Sequence, residues 1–226
     1  MRSDTIEREV EIPSGQCTLR GILSVPAGAA TAVLFAHGSG SGRLSPRNTL
    51  VARALNDVAL ATLLVDLLTD EEEQADATTG HLRFDIDLLS NRVLDATDWL
   101  KQTPETASLL IGYFGASTGA AAALQAAARR PESIHAIVSR GGRPDLAMQW
   151  LDAVKAPTLL IVGSFDEAVI PLNESAYDAL RSPREMVLVP GASHLFEERG
   201  KIDEVARLAA DWFMRHIGAP HPQMRS

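Results

Sequence analysis

Only one cysteine, Cys17, occurs among the 226 residues, so an internal disulfide and a cysteine-built zinc cluster are both excluded. Its setting, GQCTLRGIL, has strand character and predicts a buried structural thiol. Long apolar runs are missing as well. No stretch approaches the roughly 20 residues of a membrane span, and the opening MRSDTIEREVEIPSG is charged where a secretory signal would be apolar. A cytoplasmic location, with no membrane partner, is the resulting expectation. Basic charge is in deficit, 21 Lys and Arg against 29 Asp and Glu for a formal net charge of -8, which argues against a nucleic-acid partner. Aromatic residues are scarce at 5%, yet 46% of the chain is hydrophobic. That suits a single domain over residues 1–226 with a sizeable core, residues 217–226 forming a flexible tail.

What is present is an alternation of two periods. IEREVEI and CTLRGILSV alternate in and out like a leading antiparallel hairpin around Pro13-Ser14-Gly15. Short apolar strands follow at TAVLFAHG, LATLLVDLL, SLLIGYFG, IHAIVSRGG, PTLLIVGSFD and EMVLVPGASH. Helical segments are predicted near residues 46–57, 84–102, 117–130, 145–153, 172–181 and 201–216. Strands apolar throughout and spaced by helices imply a mainly parallel twisted sheet of about eight strands, covered on both faces. The segment TDEEEQADATTGHLR reads as a solvated acidic loop, and its carboxylates fit no closed metal-ligand spacing.

In open sheets of this kind, ligands bind beyond the carboxyl ends of the strands. There the chain places His37-Gly38-Ser39-Gly40, Ser117, Arg140-Gly141-Gly142-Arg143, Asp166 and His194. Ser117 stands between two glycines in Gly115-Ala116-Ser117-Thr118-Gly119, between a strand and a helix. A serine hydroxyl is a poor nucleophile until an imidazole takes its proton, and that imidazole needs a carboxylate to fix its tautomer. Ser117, His194 and Asp166 supply the three parts, with Asp145 as the rival acid. The N–H of Thr118 and that of Ser39 are the expected oxyanion donors. His37 precedes Gly38 and is read as shaping the oxyanion loop, while Arg140 and Arg143 either face the site as anion binders or serve as surface arginines bonding loop carbonyls.

Gly115-Ala116-Ser117-Thr118-Gly119, with HGSG, GSFDEAV and GASHLFEE in order behind and ahead of it, resembles the α/β-hydrolase superfamily over nearly the whole chain. The small size, the lack of a large cap insertion and the run FDIDLLSNRVLDATDWL are similar to the dienelactone hydrolase family. That resemblance implies an α/β-hydrolase fold and a cofactor-free, metal-free hydrolase of small carboxylic esters or lactones. Typical family members carry cysteine at the elbow, so Ser117 implies serine carboxylesterase chemistry, and the family likeness is also what suggests a carboxylate-bearing substrate for Arg140 and Arg143. Thioesterase, peptidase and acyltransferase share the same acyl-enzyme logic. Two readings from other classes compete: a non-catalytic binding module, and a dinucleotide-binding oxidoreductase using HGSGSGR with Asp66. The second lacks a glycine where Arg43 stands and leaves the triad residues without a role.

Overall fold

The computed structural model describes residues 5–38 and 41–217. β1 (Thr5–Ser14) and β2 (Cys17–Pro26) form the expected antiparallel hairpin. It turns at Gly15, whose φ of 57° is the left-handed conformation that glycine adopts at little cost. β2 also pairs antiparallel with β4 (Ala61–Val65). β3 (Thr31–Ala36), β5 (Leu110–Ala116), β6 (Ile134–Arg140), β7 (Thr158–Gly163) and β8 (Arg184–Val189) complete a sheet of order β1-β2-β4-β3-β5-β6-β7-β8, parallel from β4 onward. Every residue of β3, β4 and β7 is buried. Both faces of these strands are covered by helices, which is why their sequences are apolar rather than alternating.

α1 (Pro46–Asp57) and α6 (Lys201–Ile217) cover one face, where Val33, Phe35, Phe114 and Val138 point. α3 (Ile86–Gln102) and α4 (Thr118–Arg129) cover the other, where Leu34, Tyr113 and Ile137 point. α4 is alanine-rich and buried from Thr118 to Ala128; small side chains let it lie close against the sheet and its neighbours. α5 (Ile170–Ala179) follows β7. The fold is the expected α/β-hydrolase architecture.

Two local expectations are corrected. The acidic segment is not a loop: α2 spans Asp70–Thr79. Thr69 accepts from the Glu72 N–H while Glu72 accepts from the Thr69 N–H, a reciprocal capping box, and Gly80 closes the helix at φ 68°. Four acids in the first turn also meet the positive end of the helix dipole. The helical segment expected near residues 145–153 lies between β6 and β7 as a 3-10 helix over Pro144–Ala153, kinked at Ala147. Cys17 is only half-buried, its Sγ 3.2 Å from the Ser14 carbonyl and 3.5 Å from Arg92.

Candidate active site

Ser117 occupies the turn between β5 and α4 at φ 52°, ψ −126°. Such a backbone costs of order 1–3 kcal/mol for a non-glycine residue and persists only where its surroundings enforce it. Here the Ser117 N–H donates to the Arg140 carbonyl at 3.4 Å, and the Ser117 carbonyl accepts from the N–H groups of Ala120 and Arg143 at 3.1 and 3.0 Å. Gly119 lets α4 start this close to the sheet: a Cβ there would stand 2.1 Å from the Ala36 carbonyl oxygen. Thr118 is the first residue of α4, so its N–H lacks a partner within the helix. Gly38 packs against the elbow, its own missing Cβ 2.6 Å from Ser117 Cβ. Ser39, the other expected oxyanion donor, lies outside the described residues.

Asp166 leaves β7 in a tight turn, its N–H donating to the Gly163 carbonyl at 3.0 Å. Its Oδ2 lies 2.6 Å from His194 Nδ1, and the carboxylate is nearly enclosed while the imidazole stays more than one-third exposed. A carboxylate accepts the Nδ1 proton, leaving Nε2 as the free acceptor. Glu198 steadies the histidine loop by accepting the Ser193 N–H on both carboxylate oxygens at 3.1 Å. Gly141, next to Arg140 at the end of β6, sits directly against His194. Ser117 Oγ itself makes no hydrogen bond to a described residue. The rival acid is engaged elsewhere: Asp145 takes the Arg143 guanidinium at 2.9 and 2.8 Å.

His37 is buried under the same elbow. The Leu67 N–H donates to its Nε2 at 3.2 Å, so the proton sits on Nδ1, which donates to the Gly38 carbonyl at 3.0 Å. An imidazole committed on both nitrogens positions the loop after β3. Asp66 is committed too. Arg43 reaches it with its backbone N–H at 2.6 Å and with its guanidinium, and His37 lies 3.6 Å away. Burial alone would raise the Asp66 pKa, but the hydrogen bonds it accepts, those of the Arg43 N–H and guanidinium among them, outweigh it and hold the carboxyl below its ordinary range. An acid so occupied is not presented to a ribose. Among the described residues, no group of three or more metal-ligating side chains converges, and no helix is long and apolar enough to cross a membrane.

A cavity of about 160 Å³ opens beside Thr118, walled by His37, Gly38, Leu67, Leu68, Ala77 and Leu89. Its roof is α2, the helix that composition had concealed. Asp76 fastens that roof: it is buried and accepts from Arg83 Nε at 2.5 Å and from the Leu82 N–H at 2.6 Å. Arg92, buried in α3, adds a two-pronged pair with Glu72 at 2.6 Å and a bond to the Leu67 carbonyl. The capping box and Gly80 were the sequence signals that could have located this helix. Burial would raise the Asp76 pKa, yet Arg83 and the Leu82 N–H prevail and lower it. Its stabilisation is therefore complete above the unfolded value of about 4 and is lost as pH falls through the lower folded value. The Tm of Asp76→Asn should accordingly lie below that of the native protein at neutral pH, and the gap should close on acidification; a gap that stays constant down to the acid transition would show that the ion pair does not hold the roof.

The comparisons with known proteins agree with this fold. A family model described as the dienelactone hydrolase family matches residues 48–217. A crystal structure of dienelactone hydrolase from Anabaena variabilis ATCC 29413 superposes with a TM-score of 0.92 at 56% identity, covering 94% of this chain and 99% of that one. Est1E from Butyrivibrio proteoclasticus, at 15% identity and a TM-score of 0.78 over 92% of this chain and 98% of its own, shares the fold. The protein of Mycobacterium tuberculosis strain H37Rv named "Putative phosphoribosyl transferase Rv0571c" is 51% identical over 216 residues, which are 96% of this chain and 48% of that one. The chain thus spans about half the length of the curated relatives it matches.

Proposed function

This chain belongs to the dienelactone hydrolase family, and on that premise we propose that it hydrolyses small carboxylic esters or lactones through a serine acyl-enzyme. The observation that carries the reading is the 2.6 Å Asp166 to His194 pair beside a serine held at positive φ. Ser117 Oγ attacks the carbonyl carbon while His194 Nε2 takes its proton. The tetrahedral oxyanion receives hydrogen bonds from the Thr118 N–H and from the loop after β3, where Ser39 stands. Collapse breaks the bond to the alcohol oxygen, which leaves with the proton from His194. Water then attacks the acyl-enzyme, its proton passing through His194 to Ser117. The Ser117 to His194 contact closes in the substrate complex, as such contacts commonly do. An organophosphonate probe should label native protein once, at the peptide bearing Ser117; labelling that survives in Ser117→Ala would overturn the assignment.

The cavity under α2 is the proposed acyl pocket. Its 160 Å³ matches the roughly 150 Å³ that holds one benzene, so acetyl and butyryl groups fit and a dodecanoyl chain must leave methylenes in water. Each such methylene forgoes about 0.8 kcal/mol, or roughly fourfold in binding. kcat/KM should therefore fall from butyryl to dodecanoyl esters in a soluble-ester assay; a rise would refute the pocket assignment. The name of the M. tuberculosis relative belongs to a chain about twice as long, and for the half matched here the reaction proposed is hydrolysis.

A further inference from the structure

Three charged side chains line the cavity under α2: Glu73, Asp76 and Arg83. Two of them cancel. Arg83 donates through Nε to the Asp76 carboxylate at 2.5 Å and through Nη2 to the Asp76 carbonyl at 2.8 Å, so its charge is spent within the wall. His37 adds none, because its Nε2 accepts the Leu67 N–H. Glu73 is left over: among the described residues its carboxylate has no ion pair and no hydrogen-bond donor. The cavity beside the nucleophile therefore carries one uncompensated negative charge.

The helix period puts that charge on the cavity side. Residues 73, 76 and 77 share one face of α2, three and four positions apart, and Asp76 and Ala77 stand in the same wall. The roof's other carboxylates are spent or turned away. Asp70 takes Arg20 at 3.1 Å and Glu72 takes Arg92 at 2.6 Å, while Glu71 borders a separate recess with Arg20. The floor has an unmet group of its own: Thr118, next to the nucleophile, is 2% exposed, and its Oγ1 is buried without a hydrogen-bonding partner. Apolar walls with an unsatisfied polar group at roof and floor are not shaped for hydrocarbon alone. No counter-charge comes from β6, since neither Arg140 nor Arg143 belongs to this wall and Arg143 is already paired with Asp145.

We propose that Glu73 sets the specificity of this cavity, selecting acyl groups that end in an ammonium, such as 4-aminobutyryl, and rejecting those that end in a carboxylate. A carboxylate can only accept, whereas an ammonium brings three donors and the opposite charge. Glu73 is exposed at the rim, so the ammonium pairs with it while keeping water on its outer side and avoids the desolvation that burial would impose. The chain's net charge of -8 adds to the attraction. The inference rests on the hydrolase reading for the bond that breaks, and on the charge of the wall for the group that binds.

The test uses three ethyl esters of matched length, those of 4-aminobutyric acid, pentanoic acid and succinic acid (its monoester), at low ionic strength and neutral pH. For the native protein kcat/KM should fall in that order, by roughly tenfold from cation to anion, and the spread should shrink at high salt. Glu73→Gln should bring the three esters close together and Glu73→Lys should invert their order, with the change in KM more than in kcat. Both variants should melt within a few degrees of native, since the Glu73 side chain makes no bond to a described residue. A native preference for the succinate ester, or an order that survives both substitutions, overturns the proposal. Ligand-observed NMR titration of Ser117→Ala with the same esters separates the two readings, because binding needs no turnover. If the native protein cleaves none of the three, the hydrolase reading falls. The affinity order in Ser117→Ala still decides the role of Glu73: an order led by the 4-aminobutyrate ester supports it, and a flat or reversed one overturns it.

Discussion

Replacing Ser117 with alanine should lower kcat for a short-chain ester by roughly four to six powers of ten, about 5–8 kcal/mol of transition-state stabilisation. What would survive is the turnover owed to oxyanion donors and binding alone. The size of the effect follows from the pathway: without Oγ there is no covalent intermediate, and His194 has no proton to take. Stability should hardly change. Ser117 Oγ makes no hydrogen bond to a described residue, and alanine keeps the Cβ that packs against Gly38. The strain at φ 52° also stays, so Ser117→Ala should melt within a few degrees of native. Residual activity above a hundredth of native, measured with the variant purified free of contaminating esterase, would remove Ser117 from the nucleophile's place.

The second large effect is at the acid. Asp166→Asn should lower kcat by about four powers of ten, because an amide facing Nδ1 no longer imposes the tautomer that leaves Nε2 free. Asp145→Asn should cost less than about tenfold, since it weakens a part-exposed pair with Arg143 and leaves the His194 partner intact. Running both variants with the same ester discriminates the two carboxylates that chain order left in competition. A crippled Asp145→Asn beside a mild Asp166→Asn would reverse the assignment.

How differently these features could be read from the chain has a common cause. The strands were legible because a parallel strand buried on both faces must be apolar along its length, as β3, β4 and β7 are. The elbow was legible because its requirements are local: a strand before it, a helix after it and glycine where α4 meets Ala36. α2 was not. Ten residues with eight polar side chains carry no apolar face, and their helix is secured by a cap at Thr69 and by Arg83 and Arg92 from outside it. Mistaking it for a solvated loop concealed the cavity it roofs.

The pair Arg140 and Arg143 marks the boundary most clearly. Both follow from one strand end in SRGGR, and by sequence they were equivalent candidates. The sequence by itself determined the sheet, the elbow and the order of serine, acid and histidine, since periodicity and turn chemistry act between near neighbours. Only the tertiary structure decided that Arg143 meets Asp145 two positions on, that Asp166 meets His194, and that Arg140 turns inward toward Phe196 and Arg47 with no counter-ion. Which charge faces which depends on where distant segments cross and on how much water remains between them, and neither is written in the spacing of residues along the chain.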